Sequence, residues 1–219
     1  MFQTKLLLLL NATAETVYMV ILSSVIATLI GLPLGIILYS TRKGHILEHP
    51  ALHQILAVIV NMTRSIPFII LMIAIIPFTR LVVGSSIGTN AAIVPLSIAA
   101  MPFIARIVEN AILEVNKGLI EAASAMGATS WQIITKVLIP EALPGIINGL
   151  TLTVISLLGY SAMAGAVGGG GLGDLAIRYG YQRFDVNIMI ITIVIMIILV
   201  QALQFFGDKL AKWYAHTKQ

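Results

Sequence analysis

The chain has 219 residues, of which 58% are hydrophobic and only 10% charged, with a formal net charge of +4 and no cysteine. With a mean hydropathy of +1.00, it is far too apolar for an ordinary soluble domain and reads as one polytopic membrane domain. Its basic residues are spread through loops without aromatic interleaving, which excludes nucleic acid as a partner, and the absence of cysteine excludes disulfides and thiolate metal sites.

In chain order, Lys5, five leucines and Ala12-Thr13-Ala14 outline a signal peptide, but the outline is poor. The leucine run is shorter than the roughly seven to fifteen residues of a cleaved leader's apolar region, and Asn11, Thr13 and Glu15 lead straight into a longer apolar stretch. Residues 1–12 therefore read as a retained amphipathic lead-in. A spanning helix needs about 20 apolar residues, because backbone polar groups in hydrocarbon have no partners except one another. Five segments meet this need, at about 17–39, 51–78, 91–113, 143–167 and 186–206, which predicts an all-α protein with a tail over 207–219. The second is expected to be one long helix kinked by Pro67 and Pro77, and the polar cluster Gly84 to Asn90 separates it from the third.

Five spans place the termini on opposite faces. One face carries Arg42, Lys43, Lys117, Lys136, Lys209, Lys212 and Lys218, against Lys5, Arg80, Arg178 and Arg183 on the other. The positive-inside bias predicts a cytoplasmic C-terminus, an external N-terminus, and a cytoplasmic position for the polar segment between the third and fourth spans.

That segment, about 116–130, has the chemistry of a docking handle. Asn116 caps a short helix through Leu119 to Met126, and Gly127 ends it in the left-handed conformation. Thr129 and Gln132 spell a capping box that starts a second helix running to Pro140. Ala122, Ala123 and Ala125 keep the first helix thin enough for a partner's close approach, and Glu121 supplies a directional anchor.

The order Glu121-Ala122-Ala123, Gly127, then Val137, Ile139 and Pro140 resembles the EAA loop of type I ABC importer permeases, with Val137 and Ile139 in place of the commonest aliphatics. The stretches Arg64 to Leu71, Pro102 to Arg106 and Gly159 to Met163 resemble the methionine-importing members of that family, and the likeness extends over about 12–206. The resemblance implies the type I permease fold and a homodimeric pore in the bacterial inner membrane. It also implies two ABC ATPase subunits holding Mg-ATP, an external substrate-binding protein, and D- or L-methionine as cargo, with another small solute as the alternative. Coupling to the ATPase would fall on Glu121, Ala122, Ala123, Ala125, Met126, Gly127 and Pro140. No cofactor and no catalysis are expected on this chain.

Other features carry weaker readings. Gly168, Gly170 and Gly173 spell a dinucleotide fingerprint, but no strand precedes them, so a turn or close backbone packing is expected. No phosphate-binding loop occurs, so ATP hydrolysis is expected on another chain. Tyr160, Ser161 and Met163 are candidate pathway residues, with Met163 a candidate gate. Arg106 and Glu109, three apart, are expected to pair. Gly31 with Gly35, and Gly145 with Gly149, have helix-packing spacing. His45, His49, His53 and His216 read as solvated interfacial residues, because Pro50 interrupts the first three as a ligand row. An ion-coupled secondary transporter would need internal repeats and midplane acids that are not evident, and an intramembrane enzyme would need a motif the chain lacks.

Overall fold

The computed structural model describes residues 2–216, and every regular element among them is helical. Lys218 and the side chain of His216 lie outside the described residues.

The first helix, α1, runs Phe2–Thr41 without interruption. The lead-in is thus continuous with the first span. At about 1.5 Å per residue its 40 residues reach about 60 Å, twice the roughly 30 Å of hydrocarbon in a bilayer. Hydroxyls in this apolar helix donate to carbonyls one turn back: Thr13 to Leu9 at 2.7 Å, Ser23 to Met19 at 2.5 Å and Thr41 to Ile37 at 2.7 Å.

The second span departs from expectation. Instead of one kinked helix over 51–78, the chain forms α2 (Pro50–Ser65), α3 (Phe68–Ala74) and α4 (Ile76–Val83). Pro67 has φ −57° and ψ 134°, an extended conformation outside any helix, and Ile66 before it is barred sterically from continuing α2. Pro77 lies in the first turn of α4, where its missing N–H costs nothing. It opens a helix rather than bending one.

The remaining elements are α5 (Thr89–Leu113), α6 (Lys117–Ala125), α7 (Ser130–Ile133), a π-helical turn over Ile134–Leu138, α8 (Ile139–Ala166), α9 (Gly171–Leu175), a second π turn over Ala176–Tyr181, and α10 (Val186–His216). Two boundaries differ from the sequence reading. The fourth span begins at Ser130, because α7, the π turn and α8 make one helical run of 37 residues. The last helix continues to His216, so the described part of the tail is helical. Among the described residues four helices are long and apolar enough to cross a membrane, and a fifth span results if α2 and α3 count together.

The chain divides into two compact units. One comprises the residues up to Ala27, with Ile66–Ala100 and Thr153–Phe205. Its core gathers Leu9, Ala12, Leu172, Leu175 and Ile188, and Lys5 pairs with Asp185 at 2.6 Å at its edge.

The other unit comprises Thr28–Ser65, Met101–Leu152 and the chain from Phe206. Leu38, Val60 and Ala105 form a core there. The glycine pairs act as packing notches within it: a Cβ on Gly35 would stand 2.5 Å from the Ala105 carbonyl oxygen, and one on Gly149 would collide with Ile107. In lipid, helices gain little from hydrophobic burial and associate by such close van der Waals approach.

Candidate functional site

The handle forms as its local chemistry dictates. The Asn116 side chain accepts the Gly118 N–H at 2.8 Å and opens α6. At the other end Gly127 takes φ +80°, a conformation that favours glycine. Its N–H donates to Ser124 O at 2.9 Å, and the Ala128 N–H donates to Ala123 O at 3.1 Å. These are the two bonds of a Schellman stop. Thr129 and Gln132 then exchange both capping-box bonds, at 2.8 and 3.3 Å, and α7 begins.

Exposure sorts the expected coupling residues. Glu121, Ala122, Ala125, Met126 and Gly127 are open to solvent, and Glu121 makes no ion pair among the described residues. Ala123 is 5% exposed. It faces inward and thins the contact beneath α6 rather than the outer surface. Pro140 is half-buried in the first turn of α8, just beyond the π turn, where the Ile139 N–H reaches back to Ile134 O. A wide π turn immediately before a residue with no N–H leaves the helix unbroken there.

Two large apolar side chains stand out on this polar surface: Met126 is 82% exposed and Trp131 is 72% exposed. Sequence reasoning overlooked Trp131, although a tryptophan two residues after the capping Thr129 in a polar segment was the available signal. Exposed aromatic and methionine side chains beside a single carboxylate are the makings of an interface hot spot.

The candidate pathway residues separate. Met163 is 47% exposed and Gly159, four residues earlier on the same face, has no atom within 4 Å of where a Cβ would stand. Tyr160 is half-buried and stacks on Phe68 with centroids 4.9 Å apart and planes 7° from parallel. Ser161 is buried, and its hydroxyl donates to Leu158 O at 2.7 Å, so it does not share the open face. A cavity of about 240 Å³ in the same unit is lined by Met72, Ile76, Thr79, Ala92, Pro95 and Ala164 among others, and Met163 is not part of its wall.

The glycine run is both a turn and a close contact. Gly168, Gly170 and Gly171 have φ of +89°, +78° and +75°. A Cβ on Gly173 would strike the Ala162 carbonyl. The first helix holds this turn: the Glu15 carboxylate accepts the Gly171 N–H at 2.7 Å and the Thr16 hydroxyl accepts the Leu172 N–H at 2.8 Å. That support was also missed, and a lone acid in an apolar helix was its only trace.

Arg106 pairs with Glu109 at 2.6 Å as expected, and its other terminal nitrogen donates to the Asn61 side chain at 2.8 Å. The three described histidines have separate engagements. His45 lies edge-on to Tyr39 with centroids 4.5 Å apart, His49 Nδ1 accepts the Leu52 N–H at 3.2 Å, and His53 Nδ1 lies 2.9 Å from Leu38 O. Burial, and then the positive charges of Arg42, Lys117 and His53, hold His45 below its ordinary value against the pull of Glu109.

Comparison with known proteins joins this geometry to a family. The model of the binding-protein-dependent transport system inner membrane component matches residues 31–216. A probable D-methionine transport system permease protein MetI of Vibrio cholerae is 56% identical over 209 residues, covering 95% of this chain and 93% of the relative. Its counterpart in Pasteurella multocida is 54% identical over 205 residues, covering 94% of each. A solved structure of inward-facing conformations of the MetNI methionine ABC transporter superimposes with a TM-score of 0.96 at 51% identity, covering 98% of this chain and 99% of that one. An amino acid ABC transporter with histidines, at 20% identity, shares the fold with a TM-score of 0.79 over 96% of each chain.

Proposed function

The chain belongs to the family of binding-protein-dependent transport system inner membrane components, and on that premise we propose that it is the permease subunit of an ATP-driven methionine importer. The observation that carries this reading is the superposition, across nearly the whole length, on a permease of a methionine ABC transporter at 51% identity. The chain forms the translocation pathway and does no catalysis itself; hydrolysis of Mg-ATP belongs to separate ATPase subunits. Each chain has one handle, so two copies serve a motor with two ATPases, and an external binding protein delivers the cargo. The Lys and Arg distribution supports an inner-membrane orientation with handle and C-terminus in the cytoplasm and N-terminus outside.

Coupling follows from continuity. Met126 and Trp131 seat in the ATPase, with Glu121 fixing orientation. Because the capping box at Thr129 starts the same helical run that becomes the fourth span, no flexible loop absorbs the motion of the handle. A displacement there enters the helical run at Ser130 directly. The π turn at Ile134–Leu138 is the place where that helix can flex.

Co-expression with the cognate ATPase tests the seat. Met126→Asp with Trp131→Asp is expected to abolish co-purification of the ATPase while the permease still inserts and purifies in normal yield. Undiminished co-purification would refute a seat on these side chains.

A further inference from the structure

The loop between α1 and α2 carries cations that the protein leaves unused. Its one acidic residue, Glu48, spends its carboxylate on the Gly44 N–H at 3.0 Å, and the loop closes through His49 N–H to Thr41 O at 2.9 Å and Leu47 N–H to Ser40 O at 3.0 Å. Arg42 and Lys43 are exposed, and neither joins an ion pair among the described residues. They stand at one end of an open concavity of about 400 Å³, with His53 and Gln54 beside them and Ala57 and Val58 in its wall.

The wall continues as an apolar face. Ile55, Val58, Ile59 and Met62, spaced to lie on one side of α2, are 59%, 49%, 55% and 65% exposed. A cationic rim at a helix end, opening onto an apolar helix face, matches a molecule with an anionic head and hydrocarbon tails. An acidic protein surface would match the rim but leave that face uncovered.

We propose that this concavity binds an anionic phospholipid, its phosphodiester held by Arg42 and Lys43 and its acyl chains laid along Ile55, Val58 and Met62 of α2. Interfacial basic pockets are suited to such headgroups, and each Lys or Arg near a charged bilayer surface contributes about fivefold in affinity. The inference needs only that the chain is a membrane permease, not that its cargo is methionine.

The test counts lipid retained by the purified permease complex in native mass spectrometry after exchange into mixed phosphatidylglycerol and phosphatidylcholine. The wild type is expected to retain phosphatidylglycerol preferentially. Arg42→Gln and Lys43→Gln should each lower that preference about fivefold. The charge-preserving Arg42→Lys should retain it, and Val58→Asp should weaken it from the apolar side. Unchanged preference in the glutamine variants would overturn the proposal. So would displacement of the lipid by millimolar inorganic phosphate, which would mark a site for a soluble anion. Loss of the ATPase subunit from those variants with lipid retention intact would assign the rim to a protein contact instead, and equally overturn it.

Discussion

Arg106 and Glu109 form an ion pair at 2.6 Å in which the carboxylate is 1% exposed and the guanidinium side chain 22% exposed. Three residues apart on α5, they neutralise each other, and Asn61 of α2 accepts a further bond from the arginine at 2.8 Å. Removing one partner strands the other, and the buried member is the costlier to strand. Arg106→Ala, which leaves Glu109 buried without its partner, is expected to destabilise the protein by about 3 kcal/mol. Glu109→Gln, which keeps shape and a hydrogen bond, should cost less. Thermal unfolding of the two variants checks the order; equal midpoints would contradict it.

The glycines of α8 predict opposite outcomes on one helix. Gly149→Val drives a side chain into Ile107 and is expected to cost several-fold in folded yield, since small residues here set the helix approach. Gly159→Ala meets nothing within 4 Å and should leave yield and unfolding temperature unchanged. If the open face shared by Gly159 and Met163 lines the pathway, the same Gly159→Ala variant lowers uptake. Size-exclusion yield and transport, measured on both variants, separate packing from passage.

His45 gives the protein a pH response with a definite sign. Its folded pKa lies below the ordinary 6.5, so between those two values the unfolded chain binds more protons and stability rises with pH. The contribution is fully present above about 6.5 and is lost as pH falls through the lower folded value. Thermal midpoints recorded from pH 7 to pH 5 should decline less steeply for His45→Gln than for the wild type. Parallel profiles would show that His45 is not the sensor.

Local chemistry is what the sequence makes legible. Asn116, Gly127, Thr129 and Gln132 act within three residues of themselves, and each makes the cap its spacing predicts. Arg106 and Glu109 share a helix face and pair as expected, and the glycine spacings mark real close approaches. The failures depend on distant partners. Glu15 is an isolated acid in α1 whose role depends on Gly171, 156 residues away, which supplies its N–H; the sequence therefore sets the lead-in apart from a helix that runs through it. Whether Pro67 kinks or ends a helix depends on the backbone of the residue before it, and Pro77 reads identically in mid-helix or at a helix start. Exposure is likewise a property of neighbours: Ala122 and Ala123 are indistinguishable by sequence, yet one faces solvent and the other is 5% exposed.

The most direct measurement is uptake of labelled methionine into proteoliposomes containing this chain and its ATPase, supplied with the external binding protein. Uptake is expected only with ATP on the ATPase side, to be competed by unlabelled methionine, and to be lost with Met126→Asp and Trp131→Asp while the membrane remains sealed. Uptake by this chain alone, driven by a proton or sodium gradient without ATP, would contradict it.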